Sequence, residues 1–163
     1  LYVDWIQKPS GKKITRGVVE HSDCVGAVVL DDQDNILLVR QFRHSAGKFL
    51  LEIPTGGINT GEKPLAGIRR ELQEEIGYLP KKTKKLGGFY ATPGYTTEYL
   101  YCYLATDLVP SRLVAEDTEG IELVKVPLNQ ASQLIASGEI CDARSIAALL
   151  IFLSVKEKMK GGL

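Results

Sequence analysis

GGINTGEKPLAGIRRELQEEIGY, running from Gly56 to Tyr78, is the stretch that decides the reading of this chain. It joins a glycine-rich turn and a carboxylate at Glu62 to a helix-forming run that carries Glu71, Glu74 and Glu75. Leu65, Ile68, Leu72 and Ile76 follow 3-4-4 spacing, which makes one apolar stripe on a helix. At roughly 100° per residue, Glu75 falls about 20° from Ile68 at the margin of that stripe, Glu71 about 60° and Glu74 about 120°. Arg70 projects on the opposite side. The pattern predicts a helix over 63–76, with Gly77 as a left-handed cap. Gly67 lies on the acidic side, where it costs about 1 kcal/mol against Ala and leaves room for close approach of backbone or ligand.

Residues three and four apart on a helix are neighbours, so the three glutamates share one flank. Like charges crowded there repel unless a cation sits among them. A carboxylate beside a buried stripe is costly unless it is paired or metal-bound, which makes Glu75 the anomaly. Hard divalent ions such as Mg2+ take carboxylate oxygens and commonly bring phosphates with them. The stretch therefore reads as metal-dependent phosphate chemistry. A surface helix with solvated glutamates is the bland alternative, and the dense flank behind a glycine turn argues against it.

At 163 residues the chain fits one domain with a sizeable core. Its 44% hydrophobic and 25% charged content is ordinary for a globular protein, and a formal net charge of zero gives no bulk electrostatic case for nucleic acid or membrane surfaces. The run Lys81, Lys82, Lys84 and Lys85 is the basic cluster, and it reads as a solvated turn. No apolar run approaches the roughly 20 residues of a membrane span, and no signal peptide is read. Cys24, Cys102 and Cys141 are odd in number and widely spaced. They read as free thiols rather than a disulfide frame or a zinc site, and a cytoplasmic location follows.

Strands are predicted at 24–30 and 36–42, joined as a hairpin through the polar turn 31–35, and at 49–53 before Pro54. Further strands are predicted at 86–90, 98–105 and 121–126. Residues 1–21 read as two short N-terminal strands around Pro9-Ser10-Gly11. Pro127 suits a first helical turn, a helix runs over 128–136, and Asp142 caps a closing helix through about Lys158. The order of elements predicts an α+β fold, with helices layered on a mixed sheet.

The segment 56–78 resembles the Nudix box, G-x5-E-x7-R-E-U-x-E-E-x-G-U, with U a bulky aliphatic residue. Gly56, Glu62, Arg70, Glu71, Leu72, Glu74, Glu75 and Gly77 occupy every specified position except the last, where Tyr78 stands. The resemblance implies a Nudix hydrolase domain over 22–163, folded as an α/β/α sandwich, with 1–21 as strands that pair across a homodimer. TRGVVEH (15–21), LLVRQFRH (37–44), LLEIPTG (50–56), FYATPGYTTE (89–98) and GEICDARSIAA (138–148) resemble blocks of the ADP-ribose pyrophosphatase subfamily. Pro93 stands 15 positions past the box end, as in that subfamily. Thr55 replaces a usual Ala, Gly57 a frequent Lys, and Gly17 a common Glu.

The implied reaction is Mg2+-dependent hydrolysis of ADP-ribose to AMP and ribose 5-phosphate, with Mn2+ as a possible substitute ion. Glu71 and Glu75 are the expected metal ligands, with the Thr55 carbonyl beside them and Glu74 joining through a second ion or a water. Glu62 and Arg70 are expected to form a bracing ion pair. Arg40 and Arg43 follow an apolar strand, and a guanidinium fork suits a diphosphate; at least one of them is expected to bind it. Glu52, Pro93, Gly94 and Glu98 are expected near the substrate. Trp5 reads most simply as a core or hairpin contact, while the resemblance implies stacking on the base across a dimer. The general base is sought in AEDTEG (115–120), where Glu116, Asp117 and Glu119 all qualify and Glu119 is narrowly favoured. Competing readings are another Nudix substrate such as GDP-mannose or NADH, a non-catalytic nucleotide sensor, and a purely structural module.

Overall fold

The computed structural model describes residues 1–115 and 118–160. Its strands are β1 (Tyr2–Gln7), β2 (Lys13–Val18), β3 (Cys24–Leu30), β4 (Asn35–Arg43), β5 (Lys48–Glu52), β6 (Thr55–Gly57), β7 (Tyr78–Tyr90), β8 (Tyr99–Pro110) and β9 (Glu122–Pro127). The helices are α1 (Pro64–Glu75), α2 (Ala131–Ala136) and α3 (Ala143–Lys160). Seven strands form one sheet in the order β5-β4-β3-β8-β7, with β6 paired to β3 and β9 to β4. The β3–β8 ladder is parallel and the others are antiparallel, so the sheet is mixed.

β3 reads CVGAVVL and is buried along its whole length, as befits a central strand covered on both faces. Its alternate side chains feed two cores. Cys24, Val28 and Leu30 join Ala148, Leu149 and Phe152 of α3 on one face. Val25, Ala27 and Val29 join Ile68 and Leu72 of α1 on the other. The result is the expected helix–sheet–helix sandwich, with the acidic helix seated against β3, β6 and β7.

Several local expectations change. The lysine run is part of β7 rather than a turn: Lys82, Lys84 and Lys85 pair with Thr106, Leu104 and Tyr103 of β8. β7 ends the sheet order, and exposed lysines on an edge strand keep their heads in water while discouraging further pairing. Leu65 is 46% exposed. The buried face of α1 begins only at Gly67 and Ile68, one turn after the helix starts. Pro127 closes β9 instead of opening a helix, and a single 3-10 turn (Leu128–Gln130) leads into α2. Asp142 caps α3 as expected, its Oδ1 accepting the Arg144 and Ser145 backbone N–H groups at 3.0 and 3.1 Å. Gly77 takes the left-handed conformation, with φ at 76°.

β1 and β2 form a separate two-stranded sheet. Trp5 lies on it 75% exposed, so it is not a core contact. Both faces of β1 are open to solvent, and among the described residues nothing covers the indole.

Candidate active site

α1 brings its carboxylates against the turn that precedes it. Glu71 is 9% and Glu75 7% exposed. Thr55, whose strand β6 pairs with β3, donates its backbone N–H to Glu75 Oε2 at 3.0 Å. Gly56 follows, and a Cβ there would run into the Glu71 carboxylate. Only a glycine lets the turn approach that closely. Gly67 serves the same purpose one layer out, where a Cβ would sit 3.2 Å from Glu62 Oε2. Burial, reinforced by the adjacent Glu71 charge, pushes the Glu75 carboxyl up to about 8. Burial also raises Glu71, against the opposing pull of Arg70.

Arg70 does not project away from the acids. Its Nη1 donates to Glu71 Oε1 at 2.6 Å and to Glu74 Oε2 at 2.9 Å. Nε and Nη2 hold Glu62 at 3.0 and 2.9 Å, and Nη2 also reaches the Gly57 carbonyl at 2.9 Å. On the helix Arg70 lies only about 40° from Glu74, and its long stem carries the guanidinium back across the flank. The expected Glu62–Arg70 brace is present and lashes turn to helix. Hydrogen bonds to Glu62 raise Arg70 above its ordinary value, and Arg70 in turn lowers Glu62.

The opposite wall comes from β4. Its side chains alternate, so Arg40 and Arg43, three apart, face opposite sides of the sheet. Arg43 and Gln41 line the acidic cleft, which has a volume of about 450 Å3 and also holds Thr55, Arg70, Glu71, Glu74 and Glu75. Arg40 points to the other face, 3.9 Å from Glu139. Glu52, almost wholly buried, fixes the Arg43 guanidinium by contacts of 3.0 and 2.6 Å and accepts from Gln41 Nε2 at 3.1 Å. Burial alone would lower Arg43, but these bonds to Glu52 leave it raised.

A second cleft of about 330 Å3 adjoins the first and shares Arg43. Arg144, from the first turn of α3, lies 4.0 Å from Glu52 and 3.5 Å from Glu98 there. Ala91 and Thr92 line it too, next to the exposed Pro93-Gly94 turn. Glu119 is exposed, while its neighbours Ala115, Thr118 and Ile121 line the acidic cleft. Glu116 and Asp117 fall outside the described residues. Gln41 and Arg144 were not singled out from sequence. The two-residue period of β4 points to Gln41 as a companion of Arg43, whereas nothing local to Arg144 announces contacts with Glu52 and Glu98.

The Nudix domain model matches residues 20–149. The chain belongs to the Nudix family. It is 34% identical to an ADP-ribose pyrophosphatase of Bacillus subtilis (strain 168) over 162 residues, covering 98% of this chain and 87% of the relative. It is 30% identical to a methanol dehydrogenase activator of Bacillus methanolicus over the same shares. A crystal structure of an ADP compounds hydrolase superposes with a TM-score of 0.83, covering 99% of this chain and 94% of that one at 23% identity, which bears on the fold.

Nudix hydrolases generally need a divalent cation, and the donors here fit one. Two buried carboxylates converge at a glycine-lined turn so close that a Cβ on Gly56 would occupy the place of the Glu71 carboxylate. Oxygen donors of this kind suit a hard ion. Among the described residues no helix is long and apolar enough to cross a membrane.

Proposed function

We propose that this Nudix protein hydrolyses the diphosphate of ADP-ribose to AMP and ribose 5-phosphate, with Mg2+ as its cation and Mn2+ as a working substitute. The observation that carries this reading is the pairing of the buried Glu71–Glu75 seat with Arg43 across a single cleft. Carboxylates for a hard cation opposite a guanidinium for an anion are what a metal-bound diphosphate requires. The Bacillus subtilis relative supports ADP-ribose as the particular diphosphate.

A bound divalent cation would neutralise phosphate oxygens and acidify a water. Glu71, Glu75 and the Thr55 carbonyl would hold it, and Glu74 would join through a water or a second ion. Arg70, held by Glu62, keeps helix and turn in register. Arg43, oriented by Glu52, grips the diphosphate, while Glu52, Glu98 and the Pro93-Gly94 turn face the sugar. Arg40 lies on the far face and takes no part. Glu119 removes the proton from the attacking water, with Glu116 and Asp117 as the alternatives in the same stretch of sequence. Positioning and charge stabilisation do most of the work, as expected for phosphoryl chemistry.

The exposed β1–β2 sheet supports a homodimer in which Trp5 stacks on the adenine of the partner's substrate. The free thiols of Cys24 and Cys102 suit a reducing, cytoplasmic compartment. The test is a product screen with Mg2+ over ADP-ribose, GDP-mannose and NADH. The proposal expects AMP and ribose 5-phosphate, with kcat/KM for ADP-ribose at least about tenfold above the others. Equal or better turnover of GDP-mannose or NADH overturns the substrate. No turnover with any divalent ion overturns the enzyme reading.

A further inference from the structure

His21, Cys24 and Glu98 present one ligand atom each, all within 4.8 Å of one another; none of the three lines the acidic cleft, and Glu98 lines the adjoining one. The Cys24 sulfur lies 3.8 Å from His21 Nδ1. Zinc–ligand bonds of about 2.0–2.3 Å in a tetrahedron place neighbouring donors roughly 3.3–3.8 Å apart. That His–Cys edge therefore already has the right length. The remaining closure is about 1–1.5 Å, and the exposed His21 ring supplies it by exchanging its 2.7 Å Nδ1 contact with the Ser22 carbonyl for the ion.

The backbone holds the two ligand-bearing segments together. Thr97, next to Glu98, accepts the His21 N–H at its Oγ1 (2.9 Å) and donates the same hydroxyl to the His21 carbonyl (3.0 Å). The Val19 N–H donates to the Tyr95 carbonyl at 2.7 Å and the Thr97 N–H to the Val19 carbonyl at 3.1 Å, adding two backbone bonds between these segments. Cys24 opens β3 directly beside Leu100 in the parallel β3–β8 ladder. Arg144 reaches only the Oε1 of Glu98, at 3.5 Å, so the carboxylate keeps an oxygen for another partner.

We propose that His21, Cys24 and Glu98 form a second metal site, selective for zinc and similar borderline-soft ions over Mg2+, with a fourth position left to water. A thiolate, an imidazole and one carboxylate are the donor types zinc takes, whereas Mg2+ prefers oxygen alone. Three protein ligands with one position open to solvent is the arrangement of an exchangeable rather than a purely structural zinc site. Binding releases the Cys24 thiol proton to solvent and involves no change of oxidation state.

The test is a Co2+ titration of the full chain in saturating Mg2+, followed by absorbance. The proposal expects one equivalent to give tetrahedral visible bands and a near-ultraviolet thiolate-to-cobalt band, both displaced by Zn2+. Cys24→Ala abolishes the thiolate band, His21→Ala weakens Co2+ affinity by about tenfold or more, and Cys141→Ser leaves both unchanged. Glu75→Gln also leaves them unchanged, which separates this site from the acidic cleft. His21 is exposed, so its variant carries the test if Cys24→Ala fails to fold. No thiolate band, a band indifferent to His21→Ala, or bands lost with Glu75→Gln would overturn the proposal.

Discussion

Replacing Glu75 by Gln removes the ionisable group while preserving its size and its acceptor for the Thr55 N–H. In the folded chain the Glu75 carboxyl is raised from 4.5 to about 8 by burial and by Glu71. The folded state therefore holds this proton more tightly than the unfolded state does, and metal-free stability falls as pH rises between those two values. Each pH unit inside the window is about 1.4 kcal/mol, so the loss accumulates to on the order of 3–5 kcal/mol by pH 8. Gln has no proton to give up and escapes that loss. In chelator, Glu75→Gln should match the parent near pH 5 and exceed its stability progressively toward pH 8, read from urea midpoints at constant m-value. Saturating Mg2+ should reverse the order, because only the parent offers the second carboxylate. The same variant should keep its fold and lose Mg2+-dependent turnover by orders of magnitude. A stability difference that stays flat with pH in chelator, or favours the parent at pH 8, would refute the assignment of Glu75 as a buried acid kept for a cation.

Gly56→Ala places a methyl against the Glu71 carboxylate, so thermal stabilisation by Mg2+ should disappear while circular dichroism stays native. Arg43→Ala should lower kcat/KM for ADP-ribose by about 100-fold, from the loss of a charge-assisted fork in a buried cleft. Arg40→Ala, on the other face of β4, should stay within a few-fold in the same assay. Arg70→Lys keeps the charge but not the fork that serves Glu62, Glu71 and Glu74, and should cost about 2–4 kcal/mol in urea unfolding. Ser145→Ala leaves the buried Ile53 N–H without its acceptor, now 2.9 Å away, and should cost about 1–3 kcal/mol.

Where spacing alone set the geometry, the sequence was readable. The stripe Ile68–Leu72–Ile76 and the acids beside it, the Gly77 cap, the continuous apolar run of β3 and the Asp142 cap each follow from periodicity or from a single residue's chemistry. Side-chain length was what helical angles missed. Arg70 leaves its backbone on the far side of the stripe and still ends among the carboxylates, because its stem spans the difference. The lysine run looked like a turn because charge was weighed without its edge-strand setting. β4 held information that went unused, since period two by itself sends Arg40 and Arg43 to opposite faces. Arg144 lay beyond local reading altogether. Its contacts with Glu52 and Glu98 join residues far apart in the chain, and only the docking of α3 brings them together.

The parallel ladder between β3 and β8 has a consequence for assembly. It joins Cys24 to Leu100 and Val29 to Ala105, so about 75 residues must loop out before the middle of the sheet exists. Neighbouring hairpins and the acidic helix need no such closure and are free to form first. A nascent chain released only as far as the end of β7 would carry every glutamate of the motif and still lack β8, the strand that joins β7 to β3 beneath them. The slow step of folding is then the one that joins the two parts of the sheet on which the acidic helix rests.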